Sequence, residues 1–152
     1  MKFLVLSDSH GLPSNITEAL KLHPGAEALL FLGDGLNDLK CVTSLPVIAV
    51  RGNCDSFLSK EPTLQAITAD GVRICLIHGH EQGVKGSDGA LYSLGESYDL
   101  ILHGHTHVFR DDRITVDGRT VGICNPGAAR MGRYGILYTQ DGNFLFSGGN
   151  LR

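Results

Sequence analysis

Short apolar runs recur along the chain, and each ends in a cluster of small, polar or ionisable residues. The first three runs are KFLVL (2–6), ALLFLG (28–33) and PVIAV (46–50). They are continuously apolar rather than alternating, which is typical of strands buried on both faces of a parallel sheet. The pattern therefore predicts three buried strands in the first third of the chain.

Helical spacing occurs between these strands. In PSNITEALKLH (13–23) the apolar positions recur at intervals of three and four residues, and Ser14 or Asn15 is expected to cap the helix. A short segment that is either helical or irregular is expected around residues 36–44. The alternation of strand and helix predicts a parallel sheet with both faces covered.

The second half of the chain has a different pattern. DGALYSLGES (88–97) is predicted to be a helix, and DLILHG (99–104) a further buried strand. Apolar, β-rich runs also flank three Asp-Gly pairs of the kind found in two-residue hairpin turns, at 70–71, 117–118 and 141–142. We expect one α/β domain over residues 1–152 with two sheets, parallel strands early and antiparallel hairpins late.

Composition and charge narrow the classes of partner. The chain has 152 residues and a formal net charge of −3, from 13 basic and 16 acidic residues. This mild charge, without a basic cluster, argues against nucleic acid or an anionic membrane as a partner. No apolar stretch approaches the ~20 residues of a transmembrane helix. The four cysteines lack CxxC spacing, so we expect a reduced, cytoplasmic protein.

The ends of five apolar runs share a chemical character. They read SDSH, LGDGLND, RGNCD, IHGH and HGHTH, so each run terminates in aspartate, asparagine or histidine, usually beside glycine. In an open α/β sheet, ligands bind outside the carboxyl ends of the strands, where glycine lets the backbone approach a ligand closely. Residues far apart in the sequence are therefore expected to converge at one edge of the sheet.

The converging side chains offer oxygen and imidazole nitrogen as donor atoms, without a thiolate. Seven ligands exceed the four of one tetrahedral zinc, so we expect two metals with Asp34 as a bridge between them. Mixed nitrogen and oxygen ligation suits Mn²⁺, Fe²⁺ or Zn²⁺. Two metals ~3.5–4 Å apart bind a shared hydroxide and stabilise both oxygens of an in-line displacement at phosphorus. The candidate ligands are Asp8, His10, Asp34, Asn53, His78, His105 and His107.

The ordered motifs at these strand ends resemble those of the calcineurin-like metallophosphoesterases, and most of all the small single-domain phosphodiesterases of the YfcE type. The motifs are DSH (8–10), GDGLND (33–38), GNCD (52–55), HGH (78–80), GHTH (104–107) and NPG (125–127). The resemblance implies a four-layer α/β/β/α sandwich with a dinuclear site between the sheets. It implies that His103 binds neither metal. It assigns one metal to Asp8, His10, Asp34 and His107, and the other to Asp34, Asn53, His78 and His105.

The resemblance implies that the protein is a metal-dependent phosphoesterase and, more specifically, a phosphodiesterase. We expect a hydroxide between two divalent cations to attack phosphorus in line, with Asn53, His78 and Asp34 as catalytic residues. Mn²⁺ is the expected metal, although these ligands also accept Fe²⁺, Zn²⁺ or Ni²⁺. The expected substrate is a small phosphodiester or phosphomonoester. A small homo-oligomer would be in keeping with the frequency of oligomers among soluble proteins.

Several features leave other interpretations open. Larger phosphatases of this superfamily carry a histidine general acid where this chain has Cys54, which predicts a preference for good leaving groups. The chain also resembles the phosphoesterase-like subunit of retromer, so a non-catalytic protein-binding scaffold is the alternative function. A nuclease is a third interpretation, and the lack of a basic patch argues against it. Asp38 and Asp55 either orient the metal ligands by hydrogen bonds or are solvated loop carboxylates.

Overall fold

The computed structural model describes the whole chain, residues 1–152. In chain order, the strands are β1 (Lys2–Leu6), β2 (Ala28–Phe31), β3 (Val47–Ala49), β4 (Leu64–Ala69), β5 (Val72–Ile77), β6 (Leu100–Leu102), β7 (Arg110–Val116), β8 (Arg119–Asn125), β9 (Arg133–Gln140) and β10 (Asn143–Asn150). The α-helices are α1 (Pro13–Leu22) and α2 (Gly89–Leu94), and 3₁₀ helices span Leu36–Cys41 and Ala129–Met131.

The strands form two mixed sheets of five strands each. The first has the order β10-β9-β1-β2-β3, in which β1, β2 and β3 are parallel and β9 runs antiparallel to β1. The second has the order β4-β5-β6-β8-β7, in which β5, β6 and β8 are parallel. The late hairpins are antiparallel as predicted, but they divide between the two sheets. Parallel pairing therefore extends into the late part of the chain, because β8 continues the second sheet beyond β6.

Four layers result from the alternation of side chains along the strands. In β1, Phe3 and Val5 belong to the core between the two sheets, whereas Leu4 and Leu6 belong to the cluster that includes α1. On the opposite side, Leu91 of α2 packs on the outer face of the second sheet. Removing each leucine side chain from water contributes about 2 kcal/mol. The order α/β/β/α confirms the sandwich that the sequence resemblance implies.

The three Asp-Gly pairs form the predicted hairpin turns. Asp70, Asp117 and Asp141 have φ angles of 49°, 51° and 50°, and the glycines that follow them have φ angles of 82°, 75° and 79°. Both central positions are therefore left-handed, as a type I′ turn requires. The turns connect β4 to β5, β7 to β8 and β9 to β10.

The expected cap of α1 is wrong. The helix begins at Pro13 after Leu12, without a side-chain cap, because proline at the first helical position needs no partner for a missing N–H. Asn15 lies inside the helix, and its Nδ2 donates to the carbonyl oxygen of Ala129 at 2.8 Å. The side chain is thus used to hold α1 against the 3₁₀ helix near the end of the chain.

Helix α2 is shorter than expected. It ends at Leu94, and a Cβ on the following Gly95 would lie 2.9 Å from Cγ2 of Val116. The glycine therefore lets the end of α2 pack closely on β7. None of the helices combines the length and the apolar character that crossing a membrane would require.

Candidate metal centre

The strand ends of the two sheets meet at one edge of the sandwich, and they bring most of the predicted ligands together. The donor atoms of Asp8, His10 and His107 all lie within 4.8 Å of one another. The donor atoms of Asp34, His78 and His105 form a second group of the same size. These two groups correspond to the two metal positions that the sequence motifs imply, with Asp34 in only one of them.

The backbone turns sharply at these residues. Asp8, His10, Asp34, His105 and His107 have φ angles of 57°, 43°, 60°, 70° and 63°. Residues other than glycine seldom adopt this left-handed conformation, and aspartate and histidine are among those that do so more often. The left-handed turns direct the side chains of successive loops into a common space.

Asp8 is fully buried, and its two oxygens have different surroundings. Oδ2 accepts hydrogen bonds from Oγ of Ser7 and from the backbone N–H of His105. Oδ1 lies 3.1 Å from Nε2 of His107 and 3.5 Å from Nε2 of His10. One oxygen is thus fixed by the protein, and the other faces the imidazoles.

Asp34 has a similar division between its two oxygens. Oδ1 accepts the backbone N–H of Cys54 at 2.8 Å, whereas Oδ2 lies 3.1 Å from Nε2 of His78 and 3.9 Å from Nε2 of His10. A bridge between two metals requires the carboxylate of Asp34 to face both groups of ligands. Oδ2 faces both, while Oδ1 accepts the backbone N–H of Cys54.

His78 provides the test of whether a cation fits. Its Nδ1 lies 2.7 Å from the carbonyl oxygen of Leu32, an arrangement in which Nδ1 donates and Nε2 is left to face the site. Nε2 is buried and has no hydrogen-bond partner, although Oδ2 of Asp34 lies 3.1 Å away. A buried nitrogen without a partner is unfavourable. A metal ion between His78 and Asp34 would satisfy it.

The protonation states of Asp34 and His105 suit metal binding, whereas the carboxylates of Asp34 and Asp8 outweigh burial and raise the pKa of His78. Burial opposes ionisation of Asp34, but the nearby imidazole of His78 and the backbone N–H of Cys54 outweigh it and lower the pKa to about 2. Burial and the neighbouring His78 lower the pKa of His105. Ionised carboxylates and neutral imidazoles are the forms that bind metals. With oxygen and imidazole nitrogen as donors, the set fits a divalent cation such as Mn²⁺, Fe²⁺ or Zn²⁺.

Asp55 holds the loop that presents Asp34. Its carboxylate accepts the backbone N–H groups of Asp34 at 2.7 Å, Gly52 at 2.8 Å, Gly35 at 2.9 Å and Leu36 at 3.0 Å. Four amides on one carboxylate fix both the Asp34 loop and the turn at Gly52. Of the two roles that the sequence left open, the structure therefore favours the orienting one for Asp55.

Asp38 has a comparable role in the loop that carries His10. It is buried, and its Oδ2 accepts Oγ of Ser9 at 2.6 Å and the backbone N–H of Gly11 at 2.9 Å. These two residues flank His10 in the sequence. Asp38 thus orients the loop that carries this histidine.

Gly52 and Gly104 let their backbones lie close to Asp34 and Asp8, and these two contacts were not identified from the sequence. A Cβ on Gly52 would lie 2.7 Å from the backbone nitrogen of Asp34 and would also collide with its carboxylate. A Cβ on Gly104 would lie 2.6 Å from Oδ2 of Asp8 and would collide with Ser7. The signal in the sequence is the glycine next to each predicted ligand loop, together with the serine before Asp8.

Asn53 lies outside the two groups described above. Its side chain is exposed, and its Nδ2 lies 3.6 Å from Sγ of Cys54. Sγ of Cys54 lies within 4.8 Å of donor atoms of His10 and Asp34. Burial and the charge of Asp34 raise the pKa of the Cys54 thiol. Metal binding and catalysis by Asn53 therefore stay predictions.

His103 is buried away from the ligand groups. Its Nδ1 lies 2.9 Å from the carbonyl oxygen of Gly104, and burial lowers its pKa to about 4. The ring is therefore neutral at physiological pH. This environment is typical of a structural histidine.

Comparisons with known proteins place the chain in a family. Residues 1–140 match the calcineurin-like phosphoesterase superfamily domain. The probable metallophosphoesterase YsnB of Bacillus subtilis is 29% identical over 136 residues, covering 88% of this chain and 78% of YsnB. The phosphodiesterase YfcE of Escherichia coli K12 is 33% identical over 134 residues, covering 71% of this chain and 70% of YfcE.

Among solved structures, the likeness extends to Vps29 of Chaetomium thermophilum. The two structures have a TM-score of 0.77 at 18% sequence identity, and the match covers 99% of this chain and 89% of Vps29. At this level of identity the likeness concerns the fold alone. It supports the sandwich and carries no argument about activity.

Proposed function

The chain belongs to the calcineurin-like phosphoesterase superfamily, as its motifs predict, and we propose that this metal-dependent phosphoesterase is a phosphodiesterase with a dinuclear centre. The observation that carries the proposal is the pair of ligand groups at one edge of the sandwich. Its strongest element is His78, whose buried Nε2 faces Asp34 without a hydrogen-bond partner.

In this proposal the seven candidate ligands divide between two metal positions. One position is held by Asp8, His10, Asp34 and His107, and the other by Asp34, Asn53, His78 and His105. When bound, two divalent cations supply positive charge beside the phosphoryl oxygens and a water of lowered pKa. Mn²⁺ is the first candidate, followed by Fe²⁺, Zn²⁺ and Ni²⁺.

The protein's own residues have defined tasks in this proposal. Asp34 stays ionised at neutral pH, and Asp55 fixes its backbone through the amide of Asp34 itself. Leu32 orients the ring of His78 through Nδ1. The Asn53 side chain is exposed at the site and donates to a phosphoryl oxygen as charge develops there.

The substrate is a small phosphodiester, or a phosphomonoester with a good leaving group, handled in the cytoplasm. The name of the E. coli relative, a phosphodiesterase, supports the diester as the first choice. The alternative is a scaffold of the same fold that binds a protein partner without turnover. The paired ligand groups support the enzyme, because they would hold the metals that hydrolysis requires.

Hydrolysis of bis(p-nitrophenyl) phosphate tests the proposal. Metal-stripped protein is assayed with Mn²⁺, Fe²⁺, Zn²⁺, Ni²⁺ and Mg²⁺ added back singly, beside the variants Asn53→Ala and His78→Ala. Asn143→Ala, at the exposed first position of β10, is the matched control. We expect turnover restored by metal in the wild type and the control and lost in both site variants. A folded protein without turnover under any metal would favour the scaffold.

A further inference from the structure

A groove of about 1160 Å³ opens beside the metal centre. It is lined by His10 and Asp34 of the centre, by residues 36–40 of the first 3₁₀ helix, by strand β3 and by residues 54–56 and 58–62. Sites for drug-sized ligands occupy roughly 300–1,000 Å³. The groove therefore has room for much more than the phosphoryl group that the metals would bind.

The acidic side chains that line the groove already have partners in the protein. Asp38 accepts Oγ of Ser9, Asp55 accepts four backbone amides, and Glu61 accepts Oγ of Ser59. Asp34 belongs to the metal centre. All four keep their negative charge, but Asp34 and Asp38 are buried, and Asp55 and Glu61 are only partly exposed.

The two lysines that line the groove have no such partners in the protein. Lys40 and Lys60 are exposed, and neither forms an ion pair with any carboxylate of the chain. These two lysines are therefore the exposed charged side chains of the lining, and they offer positive charge to a ligand although the lining also holds four carboxylates. Between the charged groups, Leu36, Leu39 and Val42 provide an apolar surface. The complementary ligand has an apolar or planar body and an anionic group.

We propose that this groove binds one arm of the phosphodiester substrate, and that Lys40 and Lys60 bind a second anionic group on that arm. The substrate class is a phosphodiester with an additional phosphate, as in a nucleotide diester that carries a terminal phosphate. The proposal rests on the proposed function, because the scissile phosphate is placed at the metal centre.

A matched pair of substrates tests the role of the second anion. Thymidine 5′-(p-nitrophenyl phosphate) is compared with the same ester carrying a 3′-phosphate, on wild type, the Lys40→Ala/Lys60→Ala double variant and Lys21→Ala. Lys21 is an exposed lysine of α1 outside the groove and serves as the control. We expect kcat/KM to favour the 3′-phosphorylated ester in the wild type and the control. The double variant should lose about tenfold of that preference.

Two further measurements, the dependence of the preference on salt and the direct binding of a ligand, test the groove independently of the phosphodiesterase activity. The preference should diminish as salt is raised, since exposed charges are screened. Calorimetry with thymidine 3′,5′-bisphosphate measures the groove without turnover, and we expect weaker binding to the double variant than to Lys21→Ala. Equal preference and equal binding in all three proteins would overturn the groove proposal even if the esters are hydrolysed. Weaker binding without hydrolysis of either ester would support the groove and refute the phosphodiesterase.

Discussion

The carboxylate of Asp55 accepts the backbone N–H of Asp34 at 2.7 Å, so one aspartate holds the backbone from which another faces the metal centre. The same carboxylate accepts three further amides around the turn. Replacement of Asp55 by asparagine would turn part of this acceptor into a donor that faces N–H groups. The loop would then lose its fixed position.

For Asp55→Asn we expect metal affinity to fall by about 10- to 100-fold, the usual effect of removing a group that orients a ligand. The measurement is calorimetric titration of the metal-stripped protein with Mn²⁺. Asp117→Asn removes the same charge at a hairpin turn, where asparagine tolerates a left-handed backbone, and it should bind as the wild type does. Unchanged affinity in Asp55→Asn would refute the orienting role.

The close packing of Gly52 on Asp34 gives a second prediction. A methyl group at position 52 would lie 2.9 Å from Cγ of Asp34, so Gly52→Ala must displace the carboxylate or its loop. We expect a loss of about 1–3 kcal/mol in the free energy of unfolding and weaker metal binding. Gly25→Ala is the control, because no atom lies within 4 Å of the added methyl group. Urea denaturation of both variants measures the difference, and equal stability would contradict the packing argument.

The hairpins and the strand ends could be predicted because local chemistry determines them. Asp-Gly pairs form type I′ turns wherever they separate two strands, and Asp70, Asp117 and Asp141 all do so. The candidate ligands could be predicted because they directly follow apolar runs that end at one edge of a sheet. Neither inference requires knowledge of distant contacts.

The remaining features depend on contacts between distant parts of the chain. Asn15 resembles a helix cap in the sequence, yet it bonds Ala129, more than a hundred residues away. The four amides around Asp55 come together only when the loops have folded. The division of the late hairpins between two sheets is likewise decided by packing, because the hairpin pattern is the same in either sheet.

His103 predicts a dependence of stability on pH. Burial lowers its pKa to about 4, whereas the unfolded chain has the ordinary value near 6.5. Between these values the unfolded chain binds a proton that the folded protein does not. The free energy of unfolding is therefore at its full value above about pH 6.5 and falls by about 3 kcal/mol as the pH decreases to 4.

Urea denaturation of the metal-free protein between pH 4 and 7 measures this slope, and the variant His103→Gln should have a shallower one. The difference between the two proteins isolates His103 from the other histidines. An NMR titration of the His103 ring in the wild type provides an independent check. A ring that titrates near pH 6.5 in the folded protein would refute the explanation.

Cys54 leads to a prediction about leaving groups. Burial and the charge of Asp34 raise the pKa of its thiol, which makes it a weaker proton donor than a histidine would be. We expect the rate with a series of aryl phosphodiesters to fall steeply as the pKa of the leaving phenol rises. In Cys54→His the dependence should be flatter, and in Cys54→Ser it should stay steep. A wild-type rate that is indifferent to the leaving group would argue against this account.

The left-handed backbone of Asp8, His10, Asp34, His105 and His107 has a consequence for the history of such a fold. For each of these residues the left-handed backbone conformation costs roughly 1 kcal/mol more in free energy than it does for glycine. Without bound metal, glycine would relieve this strain at His10 and His107, whereas at Asp8 and Asp34 it would leave partly buried backbone N–H groups without their acceptors. Stability and catalysis therefore select in opposite directions at His10 and His107. A related protein that lost its catalytic activity would be free to replace these residues and would become more stable. This is a physical route from an enzyme to a protein with a purely structural role.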